Sequence, residues 1–143
     1  MEAAALLLVL MLLLALLVQP VCMAYTKTVM RHAAAEALRV AATTTDDEVV
    51  YSYALRRLEA VPQASVFHVG GSRDWGMELT RKPHEKVATM RISGHLRPLP
   101  FVGALSTIAC ERDAEGLLLT ESVTRSTRPL WLEGEYENWM SMW

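Results

Sequence analysis

The stretch AAALLLVLMLLLALLVQPVCMA, residues 3–24, decides the fold of this chain. It contains no charged residue, and nine of its 22 residues are leucine. As a helix it would be roughly 33 Å long, which is enough to cross a hydrocarbon core of about 30 Å. Leucine contributes about −0.5 kcal/mol to insertion, so the leucines alone supply roughly −4 to −5 kcal/mol. The stretch therefore predicts a transmembrane helix over residues 1–25.

A cleavable signal peptide is the alternative interpretation of the same stretch. Cys22 and Ala24 form a small-x-small pair ahead of Tyr25, which is a pattern that signal peptidases cut. Only Met1 and the acidic Glu2 precede the stretch, whereas a signal peptide ordinarily begins with a basic region. We therefore favour a retained span that anchors the rest of the chain at one face of a membrane.

Size, charge and cysteine spacing limit the kind of domain that the span can carry. The chain has 143 residues and a net charge of −2, and its basic residues form no stripe, so nucleic acid is not expected as a partner. Its two cysteines, Cys22 and Cys110, lie too far apart in sequence to suggest a disulfide framework or a zinc motif. We expect a juxtamembrane helix and linker over residues 26–44, and one membrane-tethered domain over residues 45–143.

Two helices are predicted after the span. Residues 26–42 are rich in alanine and contain neither glycine nor proline, which favours a helix. A second helix is predicted over residues 46–60, starting at a capping box formed by Thr45 and Glu48. Apolar residues recur at helical spacing in both segments: Met30, Ala34, Leu38 and Ala41 in the first, and Val50, Ala54, Leu58 and Val61 in the second.

The period of the pattern then changes to two, which is typical of strands. A loop is expected over residues 94–100, which contain two prolines, and a hairpin link over residues 113–116. The segments that favour strands are residues 75–80, 87–93, 101–112, 117–125 and 130–137. Helices followed by strands predict an α+β fold, with one or two helices packed on an antiparallel sheet of about four to five strands.

The candidate site residues lie at the C-terminal end. Tryptophan and methionine bring large apolar areas to interfaces, so we expect partner contacts at Trp139, Met140, Met142 and Trp143. A tail that folds back on its own sheet is the alternative. Three carboxylates, Glu133, Glu135 and Glu137, share one face of the last predicted strand and form either a second partner contact or a solvated face.

Residues for catalysis or metal binding do not converge in the sequence. The four histidines, His32, His68, His84 and His95, form no HExxH motif. His68, Ser72 and Asp74 are close in sequence, but no nucleophile elbow accompanies them. We therefore expect a protein without catalytic residues, cofactor or metal.

The order of span, helix, proline, glycine and meander resembles the cytochrome oxidase assembly factor one family. That family shares a superfamily with the regulatory subunit of the mitochondrial presequence translocase. The resemblance covers roughly residues 45–134. It is carried by Tyr51, Ala54, Leu55 and Leu58 before Pro62, then by Gly70, Ala88, Ile92, Ser93, Gly94, Gly103, Ala109 and the segment from Gly116 to Gly134.

The resemblance implies a single-pass protein of the mitochondrial inner membrane with its domain in the intermembrane space. Such a protein would be a non-catalytic accessory subunit or assembly factor that binds respiratory-chain complexes. An import-translocase subunit and a membrane-tethered enzyme or small-ligand binder are the alternatives. The basic residues Lys27, Arg31 and Arg39 flank the span and favour the opposite orientation by the positive-inside rule. Charge bias is a weaker guide for an imported protein with so short an N-terminal tail, so we favour the orientation of the family.

Overall fold

The computed structural model describes residues 2–71, 74–82, 87–98, 111–113 and 116–126. Within these ranges the chain forms α1 (Glu2–Ala41), α2 (Asp47–Leu58), β1 (Gly76–Lys82), β2 (Val87–Leu96), β3 (Glu111–Asp113) and β4 (Gly116–Ser126). The helices pack on an antiparallel sheet, so the predicted α+β class is confirmed.

Helix α1 has two halves in different surroundings. It is 40 residues long and continues through Pro20. From Leu6 to Leu14 its large apolar side chains are exposed, and it is long and apolar enough to cross a membrane by length and composition. In the second half, a row of mostly small residues is almost completely buried: Met30, Ala33, Ala34, Ala37, Leu38 and Ala41. The predicted apolar stripe of this half is therefore part of the core.

The expected juxtamembrane segment, residues 26–44, is not a separate helix in the structure. Residues 26–41 continue α1 without a break, because neither glycine nor proline occurs between Val21 and Ala41. The onset of charge at Lys27 changes the surroundings of the helix but leaves its backbone hydrogen bonds intact. The exposed apolar stretch and the central helix of the domain are consequently parts of one continuous helix.

Helix α2 begins one residue later than the capping box suggested. Asp46 is the N-cap instead of Thr45, and its Oδ1 accepts a hydrogen bond from the Glu48 amide at 3.0 Å. A carboxylate satisfies this amide and also interacts favourably with the positive end of the helix dipole. The buried face of α2 carries the expected residues Val50, Ala54 and Leu58.

The sheet has the order β1-β2-β4-β3, with every neighbouring pair antiparallel. Within the described ranges, three strands are 7, 10 and 11 residues long, and β3 adds only a three-residue edge, so the expected four to five strands are met only in part. The predicted alternation on β2 is confirmed, because Ala88, Met90 and Ile92 are buried. The strand predicted over residues 130–137 lies outside the described residues.

The loop expected from residue 94 onward starts later than predicted. Strand β2 continues to Leu96, and Gly94 pairs with Leu119 of β4. Glycine at this position leaves room for the ring of Trp75, because a Cβ on Gly94 would lie 2.5 Å from Trp75 Cζ3. The glycine therefore marks a close approach of side chain to strand and not the end of the strand.

Candidate functional site

The most distinctive site in the described part of the chain is the place where α1 leaves its exposed half and meets the domain. Residues 60–67, here called the junction segment, lie against Tyr25 and Thr26 of α1. The Tyr25 hydroxyl donates to the Ala60 carbonyl at 3.2 Å, and the Tyr25 ring meets Phe67 edge-on with centroids 5.8 Å apart. The domain is thereby fixed to the helix close to the end of its apolar stretch.

Thr26 provides a second, buried link at the same level. Its hydroxyl oxygen lies 3.0 Å from the Cys22 carbonyl and 3.2 Å from the Phe67 carbonyl, so its single proton is shared between the helix and the junction segment. Only 1% of Thr26 is exposed, which excludes water from this contact. The link holds the junction segment at one height along α1.

The other side of the junction segment is bound to the sheet. The Arg97 amide donates to the Ser65 carbonyl at 2.7 Å, and the Val69 amide donates to the His95 carbonyl at 2.7 Å. The segment and the residues just after it therefore connect α1 to the end of β2. Movement of this end of the sheet relative to α1 would require either these backbone hydrogen bonds or the contacts of Tyr25 and Thr26 to break.

His68 and Trp75 form a buried ring stack behind the junction segment. Their centroids are 3.7 Å apart and their planes differ by 10°. His68 Nε2 lies 3.0 Å from the Gly71 carbonyl, which fixes the tautomer with the proton on Nε2. Nδ1 is buried and has no hydrogen-bond partner within the described ranges. Gly70 turns the chain between the two rings with a φ of +95°, a conformation that favours glycine.

Burial disfavours the protonated form of the His68 imidazole. Burial lowers the pKa of His68 below its ordinary value of 6.5, against the opposing effects of the Gly71 carbonyl and the Asp74 carboxylate. The cavity beside the ring has a volume of about 20 Å³ and is lined by residues that include Leu58, Pro62 and Trp75. This volume accommodates about one water molecule.

The outer face of the sheet, opposite the helices, carries a shallow groove of about 370 Å³. Its walls combine opposite charges, hydroxyls and an apolar side chain: Glu78, Arg91, Ser93, Leu118 and Thr120. Glu78 and Arg91 are direct cross-strand neighbours on β1 and β2. A wide groove of mixed polarity fits the surface of another protein better than it encloses a small molecule.

The partner-contact residues predicted from the sequence all lie outside the described residues. This holds for Trp139, Met140, Met142 and Trp143 and for the carboxylates Glu133, Glu135 and Glu137. The stack of His68 on Trp75 was not predicted; Trp75 is buried in the core of the domain. The glycine pair between the two rings is the signal that could have indicated a tight turn bringing them together.

Metal ligands do not gather in the part of the chain that the structure describes, where no group of three histidine, cysteine or acidic side chains could hold an ion. Cys22 is a free, buried cysteine. In comparisons with known proteins, no family model, no curated protein and no solved structure matches this chain.

Proposed function

We propose that this chain is a non-catalytic, single-pass membrane protein that acts through protein–protein contacts, as an accessory subunit or an assembly factor of a larger complex. The observation that carries the proposal is that one continuous helix, α1, contains both an exposed apolar stretch long enough to cross a membrane and the buried residues at the centre of the domain. A domain built on its own anchor has a fixed height and a fixed rotation relative to the membrane-spanning helix. A domain held in this way is suited to presenting a surface to a neighbouring protein in the same membrane.

The surface that we assign to this role is the outer face of the sheet. It lies on the side of the sheet that the helices leave uncovered, and its groove pairs the charges of Glu78 and Arg91 with the apolar side chain of Leu118. Opposite charges fix the register of a partner, and the apolar side chain adds buried area. The partner in this proposal is a protein with a complementary, partly charged surface.

The resemblance to the cytochrome oxidase assembly factor one family supports a more specific assignment. Under it, the partner is a respiratory-chain complex, the membrane is the mitochondrial inner membrane, and the domain faces the intermembrane space. The import translocase is the competing partner. Protease added to mitoplasts tests the orientation, since a domain in the intermembrane space is degraded once the outer membrane is open, and a domain in the matrix is protected.

Native gel electrophoresis followed by mass spectrometry tests the assignment. The tagged full-length chain is extracted from membranes in a mild detergent, and its partners are identified in the band where it migrates. We expect comigration with a respiratory complex. Comigration with the import machinery would identify that machinery as the partner instead of a respiratory complex, and migration as a free monomer would refute the proposal.

Two variants separate the contact surfaces. Arg91→Glu reverses an exposed charge on the outer face and should weaken comigration, while Arg56→Glu makes the same change on α2 and should leave it intact. Deletion of residues 138–143 should also weaken comigration without unfolding the domain. Unchanged comigration after that deletion would show that the tail packs only on its own chain.

A further inference from the structure

The junction segment lies at a defined height along the apolar helix. Twenty residues from Ala3 to Cys22 span about 30 Å as a helix, which equals the thickness of a typical hydrocarbon core. A bilayer that begins at Ala3 therefore ends near Cys22, and Tyr25 lies roughly 4–5 Å beyond that boundary, at the level of the headgroups. The contacts of Tyr25 with Ala60 and Phe67 place the two ends of the junction segment at this same level.

The junction segment has a composition suited to the headgroup level of a membrane. Its sequence, AVPQASVF, contains no charged residue. Ala60, Pro62, Gln63, Ala64 and Ser65 are exposed. Small apolar and uncharged polar groups can leave bulk water for the boundary between headgroups and acyl chains without the desolvation cost of a charge.

The uncharged surface of α1 continues directly into this segment. Leu17 is 60% exposed, Val21 58% and Tyr25 44%, which leaves an apolar face running toward the junction. Tyrosine is enriched where membranes meet water, because its ring is apolar and its hydroxyl is polar. Charged side chains resume just outside the segment, at Glu59 and Lys27.

We infer that the junction segment, together with Tyr25, is a membrane-contact surface that seats the domain among phospholipid headgroups. This inference rests on the proposed membrane anchoring and adds a second attachment to it. A helix alone leaves the domain free to tilt with the span. A segment immersed beside the helix resists that tilt and fixes which side of the domain faces away from the bilayer.

Spin-label depth measurements test the inference. The full-length chain with Cys22 and Cys110 replaced by alanine is reconstituted into nanodiscs of phosphatidylcholine and phosphatidylglycerol, and a nitroxide is attached at Gln63→Cys. Collision rates with oxygen, which concentrates in the bilayer, and with a water-soluble nickel chelate report the depth of the label. Leu10→Cys is the reference inside the span, and Arg91→Cys is the reference in water.

We expect the ratio of oxygen to nickel collisions at Gln63 to exceed that at Arg91 several-fold and to fall below that at Leu10. Ala64→Cys, which is also exposed, should give the same result from a second position. A bilayer-like ratio at Leu10 with a ratio at both Gln63 and Ala64 equal to that at Arg91 would overturn the inference and leave the anchoring intact. A water-like ratio at Leu10 would overturn the anchoring and, with it, the inference.

Discussion

Replacing Arg81 with methionine should destabilise the domain by disconnecting three of its elements. Arg81 lies on β1, and its Nη1 donates to the carbonyls of Ala41 at 3.0 Å and Thr44 at 2.9 Å, at the end of α1. Its Nε and Nη2 donate to Asp47 Oδ1 at 3.1 Å and 2.8 Å, in the first turn of α2. One guanidinium therefore caps α1, anchors the start of α2 and ties both helices to the sheet.

The expected loss is about 2 kcal/mol. Each hydrogen bond from the charged group to a carbonyl contributes about 1 kcal/mol at this partly exposed site. The Asp47 side chain is 52% exposed, so solvent screening limits its ion pair with Arg81 to roughly 0.5 kcal/mol or less. Methionine retains most of the aliphatic packing of the arginine stem. For a domain of this size the loss lowers the melting temperature by roughly 8 °C.

Thermal unfolding of the full-length chain in detergent, followed by near-UV circular dichroism, measures the effect. Arg91→Met is the matched control, because it removes an exposed arginine from the neighbouring strand. Asp47→Asn removes only the ion pair and should lower the melting temperature by roughly 2 °C. The reasoning fails if Arg81→Met has the same melting temperature as Arg91→Met, or if Asp47→Asn lowers the melting temperature as much as Arg81→Met does.

Three further changes test other parts of the structure. Gly94→Ala places a methyl 2.5 Å from the Trp75 ring and should cost about 2 kcal/mol in urea unfolding; a neutral effect would mean that the ring moves freely. Because folding lowers the pKa of His68 below 6.5, the unfolded chain binds that proton more tightly, so stability is full above about pH 6.5 and falls below it. His68→Gln should flatten this slope, whereas the exposed His32→Gln should preserve it, and equal slopes would contradict the linkage. Deleting residues 1–18 should speed amide hydrogen exchange in the buried half of α1 by about 10²–10³-fold. Without the preceding helix, this half must nucleate on its own, and the nucleation constant of a helix is about 10⁻³. Replacement of the same residues by a soluble helix should restore most of the protection.

The elements with a strict period were predictable from the sequence. Alternation of Ala88, Met90 and Ile92 identified the buried face of β2, because a strand with one covered face must alternate. The spacing of Val50, Ala54 and Leu58 identified the buried face of α2 for the same reason at helical period. Periodicity indicates which side of a helix or strand faces the core, and it can be read from the residues of that element alone.

The boundary between anchor and domain was not predictable in the same way. The sequence changes character at Lys27, where charge begins, and such a change indicates where a membrane-spanning helix would leave lipid. It does not indicate where the helix ends, because an α-helix closes its hydrogen bonds within its own backbone in either solvent. The end of α1 at Ala41 depends on the polar threonines that come next and on Arg81, which arrives from β1 far along the chain.

The candidate site shows the limit of local reasoning more plainly. His68 and Trp75 are seven residues apart, yet their contact depends on Gly94, which β2 brings beneath them. A glycine at the end of a predicted strand suggests either a break or a close approach, and only the identity of the approaching group decides between them. That group belongs to a different element, so the sequence around Gly94 could not reveal it.

The dual role that we propose for α1 also explains why the α1 side of the core is built from such small side chains. Ala33, Ala34 and Ala37 bury little apolar area each, and they stabilise the core mainly by letting α1 approach its neighbours closely. An isolated helix with so little area to bury would gain little from packing to offset the cost of its nucleation. A span in lipid must already be helical, because lipid offers no partner for free backbone groups. The buried half of α1 can therefore extend a helix that has already been nucleated in the membrane. Because no nucleation cost remains to be offset, the small area buried by alanine side chains is sufficient.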